Sequence, residues 1–183
     1  NALIKADNPE MTDGQIAFGV AKMKELGILI SGDGVSIDAV VSDFVSGAVE
    51  WLCPANEPDH WDVVEGQGSL FHPSFAGVSL GLLHGSQPDA FVVCHEPTRE
   101  TMRGVGHPLP TIGEVIDLTR ACGRLTNPDI RCVGIAINTA ALDEEAARAV
   151  LAEAEEDYDL PATDPVRFGV ETLIDRLEKE FPV

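Results

Sequence analysis

Apolar residues recur at helical spacing in TDGQIAFGVAKMKELG, where Ile16, Val20, Met23 and Leu26 follow Thr12 or Asp13 as N-cap and precede Gly27 as a stop. A helix from Asp13 to Leu26 is predicted. A short apolar run, Gly27 to Ile30, enters the turn SGDG, and Val40, Val41, Phe44, Val45, Ala48, Val49 and Leu52 then mark a second helix over roughly Ile37 to Leu52. Beyond the Pro-rich loop CPANEPDH, Trp61 to Val64 reads as a strand that runs into Glu65-Gly66-Gln67-Gly68-Ser69. An apolar helix follows near Phe75 to His84, then a strand from Asp89 to His95, a short helical turn at Arg99 to Met102, and the loop VGHPLPT, where each proline biases its predecessor away from helix. Thr111 caps a helix to about Cys122. The strand IRCVGIAIN, a Glu/Ala-rich helix from Asp143 to Tyr158, a short LPAT strand and a final helix near Gly169 to Glu180 complete the chain.

The predicted strands are continuous apolar runs that alternate with helices, the pattern of strands buried on both faces. The fold class expected is α/β, a mostly parallel sheet with helices on both faces. A single domain over residues 1–183 is expected, although nothing in the sequence ties residues 1–26 to the same continuous fold. Ligands of such sheets bind at the carboxyl ends of the strands.

Charge alters this picture more than length does. Among 183 residues, 31 Asp and Glu stand against 12 Lys and Arg, a formal net charge of -19. Self-repulsion of that size costs stability and is screened by salt, so a halophilic setting would suit this acidic surface, as would an ordinary acidic protein. Contact with nucleic acid is not expected, because phosphate neutralisation needs clustered cations that are missing here. No apolar run reaches about 18 residues and no secretory signal pattern is present, so the reading is a cytoplasmic protein without a membrane partner, acting on a small molecule. A homo-oligomer is left open. Cys53, Cys94, Cys122 and Cys132 form no CxxC pair and read as small buried hydrophobes.

Each strand ends in something polar, and these ends are the candidate chemistry. Glu65, flanked by Gly66 and Gly68 where backbone can approach a ligand, suits a general base or a Mg²⁺ ligand beside phosphates; it could equally cap the next helix or pair with Arg99. His72 and His95 are candidate proton carriers, each beside a strand end or a Gly-rich turn. His84 reads as a helix C-cap. Gln67, Ser69, Glu96, Arg99 and Asn138 share the predicted rim as binding candidates, together with Gly32 and Gly34 of SGDG. An Arg at this rim can hold a carboxylate or phosphate through paired hydrogen bonds, or can salt-bridge one of the many acids. No HxxxH or HxH spacing supports a zinc site.

The stretches GILISGDGVSIDAVVSDFVSGAVEWL, WDVVEGQGSLFHPSFAGVSLGLLHGSQPDAFVVCHEPTR and TDPVRFGVETLID closely resemble a bacterial and archaeal P-loop family carried as a domain of unknown function. Some of its members are described as D-glutamate N-acetyltransferases of the DgcN type. The resemblance covers about Gly27 to the C-terminus and implies a P-loop NTPase-like architecture, acetyl-CoA as co-substrate, and a chain corresponding to the C-terminal domain of longer family proteins. More distantly, EGQG is similar to the EGAG element of dethiobiotin synthetase. That likeness implies an alternative, an ATP- and Mg²⁺-dependent kinase or ligase with Glu65 on the metal and Asn138 on adenine. A non-catalytic nucleotide- or CoA-binding module is a third reading. The sequence departs from the family in lacking a GxxxxGK[ST] loop: ADNPEMTDGQ has neither the lysine nor the glycine spacing.

Overall fold

In a computed structural model, residues 40–57, 59–66 and 68–182 are described. The expected Asp13 to Leu26 helix and the SGDG turn with Gly32 and Gly34 lie outside them, as does Gln67. The described elements run in the order α1 (Val45–Leu52), α2 (Ala76–Ser86), β1 (Ala90–His95), α3 (Ile112–Gly123), β2 (Arg131–Ile137), α4 (Glu144–Tyr158), β3 (Ala162–Thr163) and α5 (Glu171–Glu180). A 3-10 turn, Ser42–Phe44, leads into α1.

The sheet is parallel throughout, in the order β1-β2-β3. Register partners Val93 and Ile135 share a face. On that face, Ile116 of α3 packs against Val93 and Cys132, and Leu151 and Ala154 of α4 pack against Ile135 and Ile137. Successive strand residues point to opposite faces, so Gly134 opens the other side, where the Leu173 side chain of α5 sits over it. Helices therefore cover both faces. Ile135 and Ile137 are fully buried, which explains why β2 reads as an unbroken apolar run.

Local signals account for the element ends. Thr111 and Glu114 form a reciprocal capping box at α3, with the Thr111 N–H donating to Glu114 Oε2 at 2.8 Å and the Glu114 N–H to Thr111 Oγ1 at 3.2 Å. At α4 the Asp143 carboxylate accepts from the Ala146 N–H at 2.8 Å. The His84 ring bonds through Nε2 to the Cys122 carbonyl at 3.0 Å and so ties α2 to α3.

Three expectations are corrected. Trp61 to Val64 is not a strand: it is irregular and exposed, Val63 at 96%. No described strand lies beside it, and without a ladder partner an extended run stays solvated. Arg99 to Met102 is not a helical turn, because Thr101 bridges Pro108 antiparallel and the Met102 N–H donates to the His107 carbonyl at 2.8 Å, closing a hairpin-like loop. Of the cysteines only Cys132 is buried, whereas Cys94 is exposed and Cys53 and Cys122 lie between. The second predicted helix is helical from Ser42 onward among the described residues. No described helix is long and apolar enough to cross a membrane.

Candidate active site at the strand ends

The carboxyl ends of β1, β2 and β3 converge on a cleft of ≈ 320 Å³, near the lower end of the roughly 300–1,000 Å³ usual for small-molecule sites. Cys94 and His95 reach it from β1, Ala136 and Asn138 from the end of β2, and Asp164 and Arg167 from the turn after β3. The Asn138 N–H donates to the His95 carbonyl at 2.9 Å, which fixes the first two strand ends together. Burial pushes the His95 pKa below the ordinary histidine value, partly countered by the neighbouring Glu96 carboxylate. The shift favours the neutral, proton-accepting imidazole.

Beneath the cleft lies a buried polar knot. Asp164, only 3% exposed, accepts from the Thr139 hydroxyl at 2.5 Å and the Thr139 N–H at 2.9 Å on one oxygen. Its other oxygen accepts from the N–H groups of Val166 at 3.0 Å and Arg167 at 3.2 Å, an Asx turn that shapes the chain after β3. Burial alone would raise this carboxyl's pKa, but these bonds outweigh it and hold the pKa below the usual value. Arg167 Nη1 closes the knot, donating to the Thr139 carbonyl at 3.1 Å, to Thr139 Oγ1 at 3.2 Å and to the Leu142 carbonyl at 3.0 Å.

Of the residues singled out from sequence, His95 and Asn138 are brought together at this cleft. Glu96 and Arg99 pair with each other in the exposed turn after β1. His72 is buried beneath a different loop, with Nε2 bonded to the Arg103 carbonyl at 3.0 Å and Nδ1 accepting from the Ser74 N–H at 3.1 Å. Both ring nitrogens are therefore occupied in holding two loops together. Glu65 stands on the exposed, irregular segment described above and does not line the cleft. Among the described residues no three of His, Cys, Asp and Glu gather as metal ligands.

The glycine turn has an internal reason for its composition. Gly68 has φ +42°, and a Cβ there would come within 2.7 Å of Phe75 Cβ. Phe75 in turn stacks on His72 with ring centroids 4.5 Å apart. Ser69 Oγ accepts from the Phe71 N–H at 3.1 Å, so its hydroxyl shapes the same turn. Gly66 has open space around its Cα.

Asp164 and Arg167 escaped the sequence reading. Their signal is Asp164-Pro165, an Asx-turn pair directly after a short predicted strand, and thus a further polar strand end.

The P-loop domain model of a family of unknown function, DUF1611_C, matches residues 9–174. The chain belongs to the DUF1611 family. Relatives of the chain include curated proteins named D-glutamate N-acetyltransferase from a Pseudoalteromonas species and from Tritonibacter scottomollicae, 51% and 50% identical over 154 residues. Each match covers 84% of this chain and 46% of the relative, so the chain spans about half the length of the curated relatives it matches. The crystal structure of a DUF1611 protein from Anabaena variabilis superposes with a TM-score of 0.72 at 39% identity, over 81% of this chain and 44% of that one. The α/β architecture with its parallel sheet is thus shared with a solved DUF1611 protein.

Proposed function

We propose that the protein is an N-acetyltransferase that acylates the amine of D-glutamate from acetyl-CoA. The observation that carries this reading is the identity of about one residue in two with two relatives of that name, over most of this chain. The cleft supports it with a neutral histidine at a strand end, the group that general-base catalysis of amine attack requires.

Acetyl-CoA supplies the acyl carbon: an N–C bond forms, the C–S bond breaks, and the thiolate departs and takes up a proton. His95 accepts the proton that the substrate amine loses. Asn138, whose Oδ1 is engaged by the Ala140 N–H at 3.1 Å, presents its amide nitrogen as a donor at the same rim. The cleft has room for an amino acid beside the acetyl end of a thioester, while the phosphates of acetyl-CoA find their partners elsewhere. Both substrates are small and soluble, which fits a cytoplasmic location.

The test is to incubate the full-length protein with acetyl-CoA and follow free CoA with and without D-glutamate. D-glutamate-dependent release, with N-acetyl-D-glutamate as product, is the expected result. Release indifferent to D-glutamate would end this reading.

A further inference from the structure

In a chain with 31 acidic and 12 basic residues, an arginine has many carboxylates available to pair with. Arg99, Arg120, Arg131, Arg148 and Arg176 each form an ion pair with a nearby Asp or Glu. Arg103, Arg124 and Arg167 form none among the described residues, and of these three only Arg167 lines the strand-end cleft. Its Nη1 is fully engaged by three backbone and hydroxyl oxygens, as described above. Phe168 lies against the guanidinium, 5.5 Å from its centroid to Arg167 Cζ. The Nε–H and Nη2–H edge makes no hydrogen bond among the described residues. That edge is the fork that matches a carboxylate bidentately.

We propose that Arg167 is the carboxylate anchor of the cleft and holds a carboxylate of the amino-acid substrate through Nε and Nη2. The inference rests on the acetyltransferase reading for the identity of that substrate. A carboxylate fits better than the phosphates of the acyl donor, because the cleft offers one planar cation, whereas several phosphate charges call for several cations or a run of backbone N–H groups. The arrangement also explains the buried Asp164: it fixes Thr139 and the Arg167 backbone, so that the guanidinium is oriented before substrate arrives and loses little freedom on binding. Arg99, tied to Glu96 in an exposed turn, lacks this support.

The experiment compares wild type with Arg167→Lys and Arg167→Gln. Lysine can still reach the Thr139 and Leu142 carbonyls but has no outward fork. Both variants are expected to raise the KM for D-glutamate roughly 10- to 100-fold, the range for a lost charge-assisted pair, with the KM for acetyl-CoA within about twofold of wild type. Far-UV circular dichroism and thermal melting establish that Arg167→Lys is folded. Unchanged KM for D-glutamate in a folded Arg167→Lys protein, or a rise confined to acetyl-CoA, overturns the proposal. Calorimetric binding of glutarate, a dicarboxylate with no amine to acylate, separates the two readings. If glutarate binds wild type but not Arg167→Lys, the anchor stands even where turnover with D-glutamate fails. If turnover succeeds but glutarate binds both proteins equally, the anchor falls and the acetyltransferase reading stands.

Discussion

His95 and Asp164 line the same cleft, and burial favours the neutral form of both, yet only His95 follows it. For His95 it lowers the pKa and preserves the neutral base, with Glu96 pulling the other way. Replacing Glu96 by Gln should therefore lower the His95 pKa further and shift the acid limb of the rate profile to lower pH, because the neutral form then persists to stronger acid. His95→Gln should cut turnover by about 10²-fold or more with little change in melting temperature. A pH–rate profile of kcat/KM for both variants reads these effects, and an acid limb unmoved by Glu96→Gln would remove His95 as the base. For Asp164 the hydrogen bonds prevail and the pKa falls below the usual carboxylate value. A group whose native pKa is lowered stabilises the fold above its unfolded-state pKa, and that contribution is lost as pH falls through the native value. Asp164→Ala, which strands donors of Thr139, Val166 and Arg167, should cost about 3 kcal/mol or more at neutral pH, and less in acid. Urea unfolding at both pH values measures it, and an equal cost at both would refute the linkage. At this scale the sequence told half the story. His95 and Asn138 were legible because each stands at the end of a long apolar strand, whereas Asp164 and Arg167 follow a strand of two residues, too short to mark its own end.

Elements with both a period and a cap were read almost to the residue. Thr111 placed the start of α3, and Asp143 placed that of α4. Trp61 to Val64 has the composition of a strand and neither property, since composition reports a preference for burial but not whether a neighbour supplies it. The α1–α2 pair shows the converse, a contact that composition conceals. Gly81 and Gly85, one turn apart on α2, leave the space into which α1 settles: a methyl at Gly81 would meet the Val45 side chain, and one at Gly85 the Ser46 carbonyl oxygen and Val49. A side chain can rotate away, but a helical carbonyl cannot without moving its helix. Gly85→Ala should therefore destabilise by about 1–3 kcal/mol, more than Gly81→Ala, despite the gain in helix propensity that alanine brings to both. Thermal or urea unfolding of the two variants checks the order, and a Gly85→Ala protein as stable as wild type would mean that α1 is not seated on α2 in this way.

For the whole molecule, two electrostatic effects respond oppositely to salt. The described ion pairs are local and largely exposed: Arg148 and Glu144, for example, lie 2.8 Å apart with both side chains more than half exposed. Such pairs contribute about 0–1 kcal/mol each, so screening them away loses little. The repulsion from a net charge of -19 is spread over the surface and acts between groups many ångströms apart. It is felt across a Debye length of about 10 Å at 0.1 M salt and is largely removed when that length falls to about 3 Å at 1 M. The long-range effect should win, because there are far more unpaired acids than ion pairs to lose. The melting temperature should accordingly climb as sodium chloride is raised from dilute buffer to molar concentration, with the steepest gain at the low end, where the screening length changes most. Sodium chloride is the informative salt, since sulfate would also strengthen apolar burial and confound the reading. A melting temperature that stayed flat or fell would show that local pairing, not net charge, sets the electrostatic balance of this fold.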